Sequence, residues 1–155
     1  MKKIIKKTTK TKLQKYKNLI LYPRKEKFTN MSAHYIVKGL TPYLYKFSDH
    51  INNPKGKLFV ACRVLNNVKN TKPHVSYHIH TVDQMYLWIG NKQNLKGLKV
   101  EVFIDNENYI LNSPVAVYIP AGIKHSHRYI KGSGYFIGIL ITNGKSYNEV
   151  TKEVI

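Results

Sequence analysis

The sequence predicts an all-β domain, a sandwich or barrel, and three observations carry that expectation. From residue 31 onward, short β-branched and aromatic runs recur along the chain, and such runs bounded by turn residues form strands. Between them lie "NNPKG", "NKQN", "DNEN", "NSP" and "KGSG", whose Asn, Gly and Pro supply the dihedrals of tight turns. Helical periodicity is scarce: only "TPYLYKFSDHINN" and the last ten residues suit a helical turn or two.

The first expected strand is "HYIVK" (34–38), a β-branched run closed by Gly39. "KLFVACRVL" (57–65) is apolar on both faces, as in a strand covered on both sides or touching a second subunit, and a homodimer is expected. "HVSYHIH" (74–80) alternates polar positions, three of them imidazoles, with apolar ones, and "QMYLWIG" (84–90) runs from a polar residue through aromatics to a glycine stop. "GLKVEVFI" (97–104) and "NYIL" (108–111) flank "DNEN" as a hairpin would. "VAVYIP" (115–120) is ended by its own proline, and "HSHRYI" (125–130) and "YFIGILI" (135–141) flank "KGSG". Gly132 and Gly134 are read there as turn residues, since no helix follows to make a phosphate cradle.

A chain of 155 residues fits one domain with one core. Its net charge of +18 is unevenly spread: residues 1–30 hold eleven Lys and Arg against Glu26 and carry +10. A Lys/Thr-rich run of this kind is expected to be a flexible, solvated arm attracted weakly to polyanions by counterion release. No aromatic interleaving or base-reading motif accompanies it. Residues 31–155 then form the single domain. "NLILY" (18–22) is shorter than the roughly 7–15 apolar residues of a secretory h-region. No run approaches the roughly 18 apolar residues of a membrane helix, so a soluble protein is expected. The single Cys62 excludes an intramolecular disulfide and a Cys-rich zinc knuckle, and a cytoplasmic location is expected.

Because strand side chains alternate between faces, His74, Ser76, His78 and His80 share one face. Imidazoles on an inward face need partners, since an unsatisfied buried polar group costs roughly 1–3 kcal/mol. "YIPAGIKHSHRYI" (118–130) supplies a third: Pro120 and Gly122 make a sharp turn, and His125 opens the next strand. Three neutral imidazoles from separate strands can then meet at one divalent transition metal. Taken alone, a pair such as His78 and His80 is more often two ordinary strand histidines; His125 behind a P-x-G turn shifts the balance to ligation.

These residues resemble the cupin superfamily. Its first motif, G-x5-H-x-H-x3,4-E-x6-G, is matched at His78 and His80, with Gln84 at the glutamate position, Gly90 one residue early and Lys72 in place of the leading glycine. Its second, G-x5-P-x-G-x2-H-x3-N, is matched at Pro120, Gly122 and His125, with Pro114 and Tyr129 at the two departures. The resemblance implies a double-stranded β-helix, or jelly-roll, barrel, often dimeric, with one divalent metal (Zn, Fe, Ni or Mn) held by His78, His80 and His125 and with Gln84 in the fourth place. A neutral carboxamide leaves the ion its full charge, making it a stronger Lewis acid, and removes a base that glutamate would supply.

Around this centre, His74 and His127 share the metal-side parity and are expected to line the cavity or orient ligands. Tyr86 and Trp88 fall at even spacing from Gln84 and either line a pocket or pack the core. Arg63, in mid-strand, either sits buried with an acidic partner or an anionic ligand, or is exposed at an edge. Arg128 has the opposite parity and should face away. The resulting expectation is a metal-binding cupin acting on a small organic molecule by Lewis-acid or oxygen chemistry, as a dioxygenase, lyase or isomerase. The rival is a non-catalytic metal- and ligand-binding or accessory module.

Overall fold

The computed structural model describes residues 16–154. They form ten strands: β1 (Arg24–Lys27), β2 (Tyr43–Ser48), β3 (Phe59–Lys69), β4 (His78–His80), β5 (Gln84–Gly90), β6 (Leu98–Ile104), β7 (Glu107–Asn112), β8 (Val115–Ile119), β9 (His125–Leu140) and β10 (Thr151–Glu153). Every pairing is antiparallel. No helix among the described residues is long and apolar enough to cross a membrane.

Strand β9 belongs to two sheets. Its first half pairs with β6 on one side, from Leu98 opposite Gly132 to Ile104 opposite His125, and meets β4 where His78 faces His125. Its second half lies between β3 and β5, with Phe59 and Gln84 both opposite Leu140. One sheet is therefore ordered β7-β6-β9-β4-β10 and the other β1-β2-β3-β9-β5-β8, the jelly-roll arrangement.

The "KGSG" segment thus lies inside a strand and does not turn between two. Gly132 and Gly134 have φ of 111° and 154°, and a Cβ on either would stand 1.8 Å from the Gly97 carbonyl oxygen or 2.1 Å from that of Ile89. The glycines let neighbouring backbones approach where β9 passes from sheet to sheet.

The barrel begins before the border expected at residue 31. Residues 1–15 of the expected arm lie outside the described residues, but β1 pairs along β2, and Phe28 is completely buried in a cluster with Met31, Leu44, Phe59 and Leu140. The charges of β1 are paired: Arg24 with Asp49 at 2.6 Å, and Glu26 with Lys46 at 3.0 Å. Composition hid this strand, because "RKEK" reads as solvated until its partners on β2 and the following turn are known. Segment 43–48, expected to suit a helical turn, is strand β2, and its alternating burial shows the period of two that the aromatic run concealed. "HYIVK" forms no strand and contributes one bridge, His34 to Val75. The C-terminal segment has one 3-10 turn, Asn148–Val150, followed by β10.

A second apolar cluster contains Leu65, Trp88, Val100, Val102, Ile119 and Tyr129. The imidazoles sit between the two clusters: His74 stacks on Tyr129 at 5.2 Å and meets Phe28 edge-on at 6.1 Å. On the outer face of the second sheet, Val64, Met85, Tyr118, Tyr135 and Ile141 are exposed.

Candidate metal centre

Three strands position the central side chains. Inward parity on β4 turns His78 and His80 to the interior, both buried. His125 opens β9 directly across from His78. The turn before it is fastened from three sides. Gly122, at φ 83°, donates its N–H to the His80 carbonyl at 2.8 Å, Ala121 donates to the Asp83 carboxylate at 2.9 Å, and the Tyr118 hydroxyl donates to the other Asp83 oxygen at 2.6 Å. The P-x-G sequence thereby ties His125 to the end of β4.

The rings come together. Centroids are 4.2 Å apart for His78 and His125, 4.8 Å for His78 and His80, and 5.3 Å for His80 and His125. One nitrogen from each lies within 4.8 Å of the others. Their hydrogen bonds fix which nitrogen points inward. His78 Nδ1 donates to the Ser76 carbonyl at 2.9 Å, and His125 Nδ1 to the Ile123 carbonyl at 2.8 Å. Thr151 Oγ1 gives its proton to the Tyr147 carbonyl at 2.6 Å, so it accepts from His80 Nδ1 at 3.0 Å. With all three Nδ1–H groups engaged, each Nε2 is left with a lone pair. The Nε2 atoms of His78 and His80 are buried and have no partner among the described residues.

Gln84, at the start of β5 and buried, places its amide nitrogen 2.5 Å from His125 Nε2, and its Oε1 is buried without a partner. Rotation of the amide exchanges these two ends. The donor set is thus three imidazoles and one carboxamide, all neutral. Burial pushes the imidazoles down: His80 to about 2 and His125 to about 3, each further opposed by neighbouring rings, and His78 in the same direction. None carries a proton at neutral pH, so none repels a cation. Such a set fits a borderline divalent ion.

Beside the three rings is a cavity of about 30 Å³, whose wall includes His34, Arg63, His74, Tyr86, His127 and Tyr147. His74 and His127 are buried with centroids 4.7 Å apart and line this space. Tyr86 forms part of the wall, whereas Trp88 is fully buried in the core against His127 at 5.6 Å, so the two aromatics divide between the alternatives. Arg63 is 2% exposed on a strand flanked by β2 and β9, which rules out edge exposure. Arg128 faces outward and pairs with Glu101 at 2.6 Å.

Three residues of this site carry no local sequence signal that marks them. Thr151 is the cross-strand neighbour of His80, Tyr147 packs on His80 at 5.1 Å, and His34 lies 6.3 Å from His78. All three come from segments without a motif. The one available signal was the count of seven histidines in a chain of 155 residues, of which only His50 lies apart from this region.

A two-sheet antiparallel arrangement of this kind places the chain among the double-sheet jelly rolls. The particular fold is the cupin fold. The chain is similar to a cupin-like protein from Thermotoga maritima, at 15% identity over 74% of this chain and 77% of that one, with a TM-score of 0.51. It is also similar to oxalate decarboxylase from Bacillus subtilis, at 15% identity and a TM-score of 0.50, covering 84% of this chain but 31% of that chain. The chain therefore spans about a third of the decarboxylase's length. No protein-family model and no curated protein sequence matches it.

Proposed function

We propose that His78, His80 and His125 hold one divalent transition metal, with Gln84 as a weak fourth donor, and that the protein acts on a small organic molecule in the adjoining cavity. One observation carries this reading: three buried Nε2 lone pairs converge while every Nδ1 is engaged elsewhere. Zn, Fe, Ni and Mn all suit imidazole donors to different degrees. When bound, such an ion supplies Lewis acidity toward an oxygen of the substrate or a site for oxygen chemistry. The chain's own contribution is to exclude water with Tyr86, Tyr147 and the apolar wall, and to keep the imidazole orientation fixed through Ser76, Ile123 and Thr151.

Elemental analysis of the purified protein tests the reading. About one equivalent of metal is expected in the wild type, and almost none in the triple variant His78→Ala, His80→Ala, His125→Ala. Full metal content in a folded triple variant would end it.

A second reading is a metal- and ligand-binding module without turnover. Gln84 favours it, because among the described residues no Asp or Glu lines the cavity to take a proton from a bound molecule. Turnover of small acids, diketones or phenols, assayed with and without air, decides between the two.

We further assign the exposed apolar face of Val64, Met85, Tyr118, Tyr135 and Ile141 to contact with a second copy of the chain, since contiguous exposed apolar surface marks association sites. Light scattering is expected to give twice the monomer mass, and Tyr118→Lys with Val64→Lys should return it to the monomer. A wild-type mass of one chain would overturn the assignment.

A further inference from the structure

Arg63 is the feature of the barrel that the proposed metal centre does not use. It sits on the inward face of β3 with Phe59, Ala61 and Leu65, and it is 2% exposed. A buried guanidinium keeps its charge and ordinarily has a carboxylate beside it. Among the described residues it makes no salt bridge. The four ion pairs present involve Arg24, Lys46 and Arg128, all elsewhere.

What surrounds Arg63 holds it in place without neutralising it. Its guanidinium carbon lies 3.9 Å from the Phe28 ring centroid, and the Tyr129 hydroxyl is hydrogen-bonded to it. Its Nη1 is buried and has no partner among the described residues. The cavity it lines contains no Asp or Glu, and the remaining polar groups of the wall are neutral imidazoles, tyrosines and the Cys62 thiol. The one formal charge on the cavity wall is therefore positive, fixed by stacking, and offers at least one free N–H.

The same cavity adjoins the three converging imidazoles. Its wall residues His34, Tyr86 and Tyr147 pack against His78, His125 and His80 at 6.3, 5.7 and 5.1 Å respectively. The three imidazoles are not themselves on the wall, so a molecule held by Arg63 reaches toward them past the rings of His34, Tyr86 and Tyr147. At about 30 Å³ the space admits only a small molecule.

We infer that Arg63 is an anion subsite and that the cavity takes a small carboxylate, its negative group on the Arg63 guanidinium and its other end toward His78, His80 and His125. This deepens the reading of the metal centre and rests on it for the second contact, though not for the first. The guanidinium fork matches a carboxylate, which is the smaller of the anions it matches and so the one suited to a space of about 30 Å³. The carboxylate would also supply the counter-charge that the fold withholds.

The test uses the full-length protein loaded with zinc, with acetate as probe and acetamide as its neutral match, at constant ionic strength. Acetate is expected to raise the melting temperature saturably, and acetamide to leave it unchanged. Arg63→Met should weaken acetate about 10- to 100-fold, the range expected on losing a charge-assisted hydrogen bond, while zinc content stays the same. If Arg63→Met does not fold, Arg63→Lys carries the comparison, with weaker acetate binding expected because the planar fork is lost. Equal responses to acetate and acetamide, or unchanged acetate affinity in a folded Arg63 variant, would overturn the inference. Arg63-dependent acetate binding in a protein that retains no zinc would uphold the anion subsite and reject the metal centre, so the two failures are told apart.

Discussion

Metal-free protein is expected to unfold on mild acidification, between about pH 6 and pH 5. Five histidines are fully buried, His74, His78, His80, His125 and His127, and burial lowers every one of them, His74 and His127 well below the ordinary value. In the unfolded chain they return to about 6.5. Between the lowered values and 6.5, the unfolded chain binds protons that the folded one refuses, so stability is full above about pH 7 and falls as the pH drops below 6.5. Each group held well below 6.5 contributes a slope of about 1.4 kcal/mol per pH unit, and four of them, His74, His80, His125 and His127, together give roughly 5–6 kcal/mol per unit once well below 6.5. Against a domain stability of about 5–15 kcal/mol, one or two pH units suffice. The window lies above the carboxylate range, which separates this effect from loss of the Arg24–Asp49 and Arg128–Glu101 pairs. Melting temperatures followed by circular dichroism from pH 7.5 to 4.5 check it, and a flat profile to pH 4.5 would contradict the buried, neutral imidazoles. Added zinc should move the midpoint to lower pH, because the ion competes with protons for the same lone pairs.

The second large effect is expected from Gln84→Glu. In the metal-free protein the new carboxylate would replace an amide that is 3% exposed and in contact with His125. Deprived of a positive partner, it would either destabilise the fold or take up a proton. In the loaded protein it would face a divalent charge. At an effective dielectric constant of about 20, two unit charges 4 Å apart attract by roughly 4 kcal/mol, about twice that for a divalent ion. Desolvation of the carboxylate returns several kcal/mol of this. A net gain of about 3 kcal/mol corresponds to roughly 100-fold tighter metal binding. Competition titration against a chelator measures the affinity, and urea unfolding of the metal-free variant measures the cost. Unchanged affinity would place residue 84 away from the ion and remove it from the proposed ligand set. If the substitution brings turnover of a small acid or diketone that the wild type does not turn over, the missing base is what holds the wild type inactive, and the non-catalytic reading gains.

How far the sequence led depended on whether a residue's surroundings were local. Gln84–Gly90 and Leu98–Ile104 were recognisable because alternation and turn residues lie within a few positions of each other, and the strands follow the expected bounds closely. His78, His80 and His125 were recognisable because a strand's period of two and a P-x-G turn are both local. Strand β1, by contrast, reads as part of a charged run, and its place in the sheet depends on Lys46 and Asp49, some twenty residues away. Strands 125–130 and 135–141 appeared as two because glycines usually mark turns. Only the neighbouring carbonyls of Gly97 and Ile89 show that these glycines admit close-packed backbone within a single strand.

By itself, then, the sequence determined the all-β architecture, the inward parity of the imidazoles and the neutrality of residue 84, since each follows from residue type and spacing along one strand. Tertiary structure alone decided that Thr151 and two backbone carbonyls hold the ring tautomers, that Arg63 is buried with no acid beside it, and that His34 and Tyr147 close the cavity. Those features need strands far apart in the chain to pair in register, and an alternating pattern states which way a side chain points without stating what it will meet there.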